Sequence, residues 1–178
     1  MYNLDNIREM ISAEELAQKI KELGAKITED YQGSDLVVIG VLKGAFIFLA
    51  DVVRAIDLPL EIDFMQAQSY NGVNSTGIVN ITKDVSVDIE GKDVIVVEDI
   101  LDTGRTLHAI CETLRSKKAK SVKVCTFLDK PSRRVVDMQA DYFCYEIPDN
   151  FVVGYGLDYD EKYRNLPYVG QIIQSDNA

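Results

Sequence analysis

Tryptophan is absent from the 178 residues, histidine occurs once and cysteine three times. The single histidine, His108, has no cluster of partners to build a metal or proton-relay site, and it reads as structural. Cys111, Cys125 and Cys144 are odd in number, widely spaced and set in apolar runs. That pattern excludes a disulfide framework or a CxxC metal site and suggests core thiols in a reducing cytoplasm. Basic residues are in deficit: 19 Lys and Arg stand against 29 Asp and Glu, a net charge of -10. Such a chain has no broad basic surface for nucleic acid or anionic membrane. No apolar run is long enough to span a bilayer, and Tyr2-Asn3-Leu4-Asp5 is not the charged start of a secretory signal. The expectation is a soluble cytoplasmic protein.

What the chain does have is a globular composition, 47% hydrophobic and 27% charged. It is read as one α/β domain over residues 1–178, without repeats or linkers. Its centre is the stretch 94–106. Val94, Ile95, Val96 and Val97 form an unbroken β-branched run, the signature of a strand buried on both faces in a parallel sheet. Glu98 and Asp99 follow at its carboxyl end, then Asp102-Thr103-Gly104-Arg105-Thr106 turns into a helix. That helix carries Leu107, Ile110, Cys111 and Leu114 at i, i+3, i+4 and i+7.

Free amides at a helix start, two hydroxyls and a glycine make an anion site suited to phosphate. The neighbouring acids would repel a phosphate unless they bind something else, such as ribose hydroxyls, a divalent metal or a developing cation. A sugar phosphate with Mg²⁺ satisfies every group in the stretch.

The rest of the chain repeats this logic. Ser12 and Glu15 predict a capping box, Ile11 and Leu16 a staple, and Gly24 a helix stop. Residues 36–42 are a second buried strand, ending in Lys43-Gly44-Ala45 and a helix with Phe46, Leu49, Val53 and Ile56 on one face. Residues 61–68 and 77–87 predict an antiparallel excursion around the small, polar loop 69–77, the composition of an active-site lid. One more buried strand, 122–128, ends at Asp129-Lys130-Pro131 and so puts Lys130 on the same sheet edge as Glu98, Asp99 and Lys43. Gly154-x-Gly156 lacks the third glycine and helix of a dinucleotide fingerprint.

The acidic pair, the two-residue gap and Asp-Thr-Gly with Thr106 resemble the phosphoribosyl-pyrophosphate (PRPP) signature of type I phosphoribosyltransferases. Leu42-Lys43-Gly44, Ser69-Tyr70, Ser75-Thr76-Gly77, Glu146-Ile147-Pro148-Asp149, the run Phe151 to Tyr155, Leu157-Asp158-Tyr159 and Arg164 are similar, in order, to the hypoxanthine-guanine branch. Ala45 stands where members often have Gly or Ser. The resemblance implies a twisted, mainly parallel sheet flanked by helices, with a small hood from terminal segments, mainly about residues 140–178. It implies transfer from PRPP to a 6-oxopurine with Mg²⁺, by a homodimer or homotetramer. It assigns Asp102 as general base and Thr103, Gly104, Arg105 and Thr106 as the 5′-phosphate loop. Glu98 and Asp99 would hold ribose hydroxyls or metal; Lys43, Gly44 and Arg164 the pyrophosphate; Lys130 the purine 6-oxo group. Phe151 would stack on the base, Val152 supply backbone contacts, Asp158 help carry Mg²⁺, and Ser69 and Tyr70 belong to the flexible loop. The Leu42-Lys43 peptide bond is expected to be cis or to switch to cis. Two alternatives stay open: a xanthine-preferring enzyme, and a nucleotide-sensing regulator that binds nucleic acid, which would need a basic face.

Overall fold

The structure, a computed structural model, describes residues 6–69 and 79–173. In chain order the elements are β1 (Ile7–Ile11), α1 (Ala13–Asp30), β2 (Leu36–Leu42), α2 (Phe46–Ala55), β3 (Leu60–Ser69) and β4 (Val79–Lys83). They continue with β5 (Asp93–Leu101), α3 (Arg105–Ser116), β6 (Ser121–Asp129), β7 (Tyr142–Glu146), β8 (Val152–Val153) and β9 (Val169–Ile172). Six strands make the main sheet in the order β4-β3-β2-β5-β6-β7, and β1-β9-β8 make a separate three-stranded sheet. All neighbours in the large sheet are parallel except β3 and β4.

Alternation divides the core between the two faces of the large sheet. Ile95 and Val97 of β5 join Leu36 and Val38 of β2 under α1 and α2, while Val94, Val96, Val37 and Ile39 pack with Leu107, Ile110, Cys111 and Leu114 of α3. Through residues 36–39 and 94–97 both strands are therefore apolar at every position, because helices cover both faces. The chain leaves β2 for β3 on one side and has β5 on the other, so β2 and β5 flank the place where strand order reverses. Ligands of open α/β sheets bind at that crevice, beyond the carboxyl ends of the strands.

Several details depart from the sequence reading. The capping box of Ser12 and Glu15 forms as expected, but α1 runs through Gly24 to Asp30. Gly24 is buried because a side chain there would strike the Cβ and carbonyl of Ala55 on α2; its job is close helix packing. On α2 the inward face is Phe48, Leu49 and Val52, and Phe46 is exposed. β5 continues past Glu98 and Asp99 to Leu101, so the acids stand on the strand itself. β4 covers only Val79–Lys83, since Asp63 holds the following backbone away from the ladder by accepting from the N–H groups of Ser86 and Val87. β7, within the stretch 140–178 expected of the hood, is the edge strand of the large sheet, while β1 pairs with β9 in the small one, in keeping with a hood made from terminal segments. Tyr70 and the rest of the expected lid lie outside the described residues, and Ser69 ends β3 opposite Val79.

Candidate active site

Three strand ends build the site. From β5, the turn after Leu101 swings into α3 through Gly104, whose φ of 80° is left-handed backbone that glycine adopts at little cost. No side chain caps α3; the Arg105 N–H leans toward the Thr103 hydroxyl at 3.5 Å. The first-turn amides are thus left for an external acceptor. Glu98, Asp99, Asp102, Thr103, Gly104 and Thr106 line a cavity of about 160 Å³ there.

Glu98 and Asp99 are half-buried and adjacent. Burial and the charge of Asp99 push Glu98 well above the usual carboxylate range. Burial also raises Asp99, although the Glu98 side chain, the Ile100 N–H and the Arg164 charge oppose the shift. Two acids that resist ionisation side by side are suited to a cation. Among the described residues no three Asp, Glu, His or Cys groups assemble into a metal cluster. An ion on this pair would therefore draw further ligands from phosphate, hydroxyl or water, as Mg²⁺ commonly does.

From β2, the Leu42-Lys43 bond is cis. Gly44 follows, with no room for a side chain because the Asp99 carboxylate fills that space. Gly156, at φ 102°, lies against the Gly44 carbonyl from the other side. Lys43 Nζ sits 2.9 Å from Glu161. Arg164 donates to the Gly156 carbonyl at 2.7 Å and pairs with Asp158 at 2.8 Å. Its Nε is buried with no hydrogen-bond partner among the described residues. An orphaned donor on a cation beside the Lys43-Gly44 loop suits an anion such as pyrophosphate.

From β6, Lys130 is only 8% exposed and its Nζ donates to the Asn150 carbonyl at 2.7 Å. Phe151 follows at 55% exposure, met edge-on by Tyr159 with ring centroids 5.5 Å apart, and Val152 is buried. A donor-only ammonium and an open aromatic face suit a flat ring bearing a carbonyl. Asp102 accepts from Arg133 Nε at 3.1 Å, and Arg133 in turn reaches Asp149, in the same loop as Asn150. The fold thus brings together Glu98, Asp99, Asp102 and Thr103 to Thr106 with Lys43, Gly44, Lys130, Phe151, Val152, Asp158 and Arg164 along one sheet edge.

Sequence reasoning missed Gly156, Glu161, Arg133 and Arg134. Arg134 donates to the carbonyls of Leu101 and Asp102 and pairs with Asp129, tying down the backbone of the acidic turn. Nothing in the Pro131-Ser132-Arg133-Arg134 sequence advertises the contacts to Leu101 and Asp102, which lie some thirty residues away.

An uncapped glycine turn beside two strand-borne acids, at the switch point of a parallel sheet, has the chemistry that phosphoribosyl transfer needs. Residues 8–160 match the phosphoribosyl transferase domain, and the chain belongs to that family. Within it the chain is similar to proteins of one branch. It is 53% identical over 162 residues to the hypoxanthine-guanine phosphoribosyltransferase of Streptococcus thermophilus (strain CNRZ 1066), covering 90% of each chain. It matches that of Bacillus subtilis (strain 168) equally, at 53% over 162 residues and 90% of each. A hypoxanthine phosphoribosyltransferase structure from Staphylococcus aureus superimposes with a TM-score of 0.91 at 50% identity, covering 94% of this chain and 92% of the other. A hypoxanthine-guanine enzyme from Bacillus anthracis gives 0.88 at 49%, over 94% and 99%. No helix among the described residues is long and apolar enough to cross a membrane.

Proposed function

We propose that the protein transfers the 5-phosphoribosyl group of PRPP to N9 of hypoxanthine or guanine, releasing pyrophosphate and the purine nucleoside 5′-monophosphate. The observation that carries the purine half is Lys130: a nearly buried ammonium aimed at the Asn150 carbonyl, beside the open face of Phe151. A 6-oxo group can take the same donor while the ring lies on Phe151 and the Val152 backbone contributes hydrogen bonds. Asp102 then receives the proton from purine N7 as N9 attacks the anomeric carbon.

Thr103, Gly104, Arg105 and Thr106 hold the 5′-phosphate through the uncapped amides and hydroxyls of the α3 start. Glu98 and Asp99 would hold the ribose hydroxyls, directly or through Mg²⁺, and Asp158, which is engaged by Arg164 and the Glu161 N–H, would help to carry the ion only by giving up one of those partners. When bound, Mg²⁺ neutralises charge on the departing pyrophosphate. Lys43, the Gly44 backbone and Arg164 grip that pyrophosphate. Both sheets act as one catalytic domain, because the purine groups come from β6 and the hood together. The net charge of -10 favours small-molecule partners over nucleic acid. Three buried, unpaired cysteines suit a reducing cytoplasm. The exposed Phe46 ring offers apolar surface to the homodimer or homotetramer that the family resemblance implies.

A panel of hypoxanthine, guanine, xanthine and adenine with PRPP and Mg²⁺, read as pyrophosphate release, tests the reading. Turnover with hypoxanthine or guanine is expected. Preference for xanthine would reassign the substrate, and no release with any purine would overturn the activity.

A further inference from the structure

Taking Asp102 as the base, and so resting on the reading above, we propose that Arg133 is its positioning residue: the guanidinium fixes the carboxylate so that one oxygen faces the purine. Asp102 stands on an open turn with its side chain 39% exposed. A carboxylate in that situation rotates freely unless something holds it. Arg133 Nε meets Oδ1 at 3.1 Å, and NH1 meets Asp149 Oδ2 at 3.2 Å. With two edges of a planar fork engaged, the guanidinium has one orientation, and it imposes one on Asp102. Oδ2 of Asp102 has no hydrogen-bond partner among the described residues, so it is the oxygen left for the proton.

The support for Arg133 is itself preorganised. Residues Pro131–Arg133 form a single 3-10 turn begun by proline, closed by the Arg133 N–H to the Lys130 carbonyl at 3.1 Å. Lys130 at the head of that turn and Arg133 at its end both reach the hood: Lys130 Nζ lies 3.6 Å from Asp149 Oδ1, opposite the oxygen that Arg133 uses. Arg134, the next residue, fastens the Leu101 and Asp102 carbonyls. One turn therefore carries the purine-reading ammonium, the clamp on the base's backbone and the clamp on its carboxylate. A purine seated on Lys130 meets a base whose direction was set by the same turn.

A residue that acts only by aiming a base affects turnover and leaves PRPP binding alone. Arg133→Ala should lower kcat about 10- to 100-fold at saturating hypoxanthine and PRPP, the scale of a misplaced catalytic group, with KM for PRPP within about twofold of the original. The deciding measurement is a double-mutant cycle. In an Asp102→Asn background there is no base to aim, so adding Arg133→Ala should change kcat by less than about twofold. Arg133→Lys keeps the charge without the fork and should stay close to the alanine variant. The side chain is half exposed, so the thermal midpoint should move by no more than about 2 °C, which separates the effect from unfolding. Unchanged kcat in Arg133→Ala, an equal loss in both backgrounds, or full recovery by lysine would each overturn the role. If the unaltered protein makes no nucleotide from hypoxanthine and PRPP, the activity itself fails; if it does and Arg133→Ala matches it, only this inference fails.

Discussion

The carboxylate of Asp99 occupies the space that a side chain on Gly44 would need. Two segments far apart in sequence, the Lys43-Gly44 loop and the β5 acids, are thereby pressed into one site. Gly44→Ala must displace either the carboxylate or the loop. Its kcat/KM for PRPP should fall about 100-fold, with a thermal midpoint lower by a few degrees, as overpacking costs roughly 1–3 kcal/mol. Steady-state kinetics and a melting curve check both.

Asp102→Asn keeps the shape of the turn and an oxygen for Arg133 but removes the base. Its kcat should drop by roughly 10² to 10⁴ with PRPP affinity nearly unchanged. Turnover near that of the unaltered protein would leave Glu98 or Asp99, stabilising developing charge, as the alternative.

Lys130 has donors only, so it mismatches the 6-amino group of adenine. The unaltered protein should discriminate against adenine by about 10⁴ or more, the penalty of leaving a buried donor unpaired. Lys130→Gln can offer a carbonyl and should narrow that gap by weakening hypoxanthine use. Competing-substrate assays give the ratio directly.

Chelation tests the acidic pair. With EDTA, turnover should stop, while the thermal midpoint without PRPP stays where it was, because Glu98 and Asp99 belong to a formed strand. Calorimetric PRPP binding should weaken without Mg²⁺ and lose most of its Mg²⁺ dependence in Glu98→Gln. Full turnover in EDTA would remove the ion from the reaction.

Acid stability should report Asp63. Burial alone would raise this carboxyl, but the N–H groups of Ser86, Phe64 and Val87 and the Ser86 hydroxyl outweigh it and hold the group well below the usual range. Lys83 adds an ion pair at 3.3 Å. A depressed folded value means the stabilisation is complete above the unfolded value of about 3.9 and is lost as pH falls below it. Asp63→Asn should therefore cost about 2 kcal/mol or more at pH 7, and the gap to the unaltered protein should shrink toward pH 3. Urea midpoints at the two pH values measure it; a constant gap would contradict the assignment.

Periodicity made the scaffold legible. The run 94–97 reads as a doubly buried strand and forms one, and all four residues spaced along α3 are buried. Local chemistry also marked the turn before α3 as a candidate anion site, because its parts are consecutive. The readings that failed used a local rule where distant packing decides: Gly24 looked like a helix stop until Ala55 of α2 was seen against it, and Phe46 fitted a helical stripe whose true direction is set by Phe48. Arg133 and Gly156 were invisible for the same reason. Each matters through a partner brought close only by the folded sheet.

The pairing of Ile7 with Ile172 has a consequence for the order in which the molecule can be assembled. β2, β5 and α3 precede β8 and β9 in the chain, and β2 meets β5 over a much shorter separation, Leu36 to Asp93, than the one from Ile7 to Ile172. β8 and β9 come last, and β1 must wait for β9 across almost the whole chain, so the entropy of closing that loop falls on the hood. On the proposed reading, a ribosome-bound chain can therefore form the 5′-phosphate turn and present Lys130 before Phe151, Val152 and Arg164 arrive, so the hood's share of the purine and pyrophosphate contacts is the last to exist.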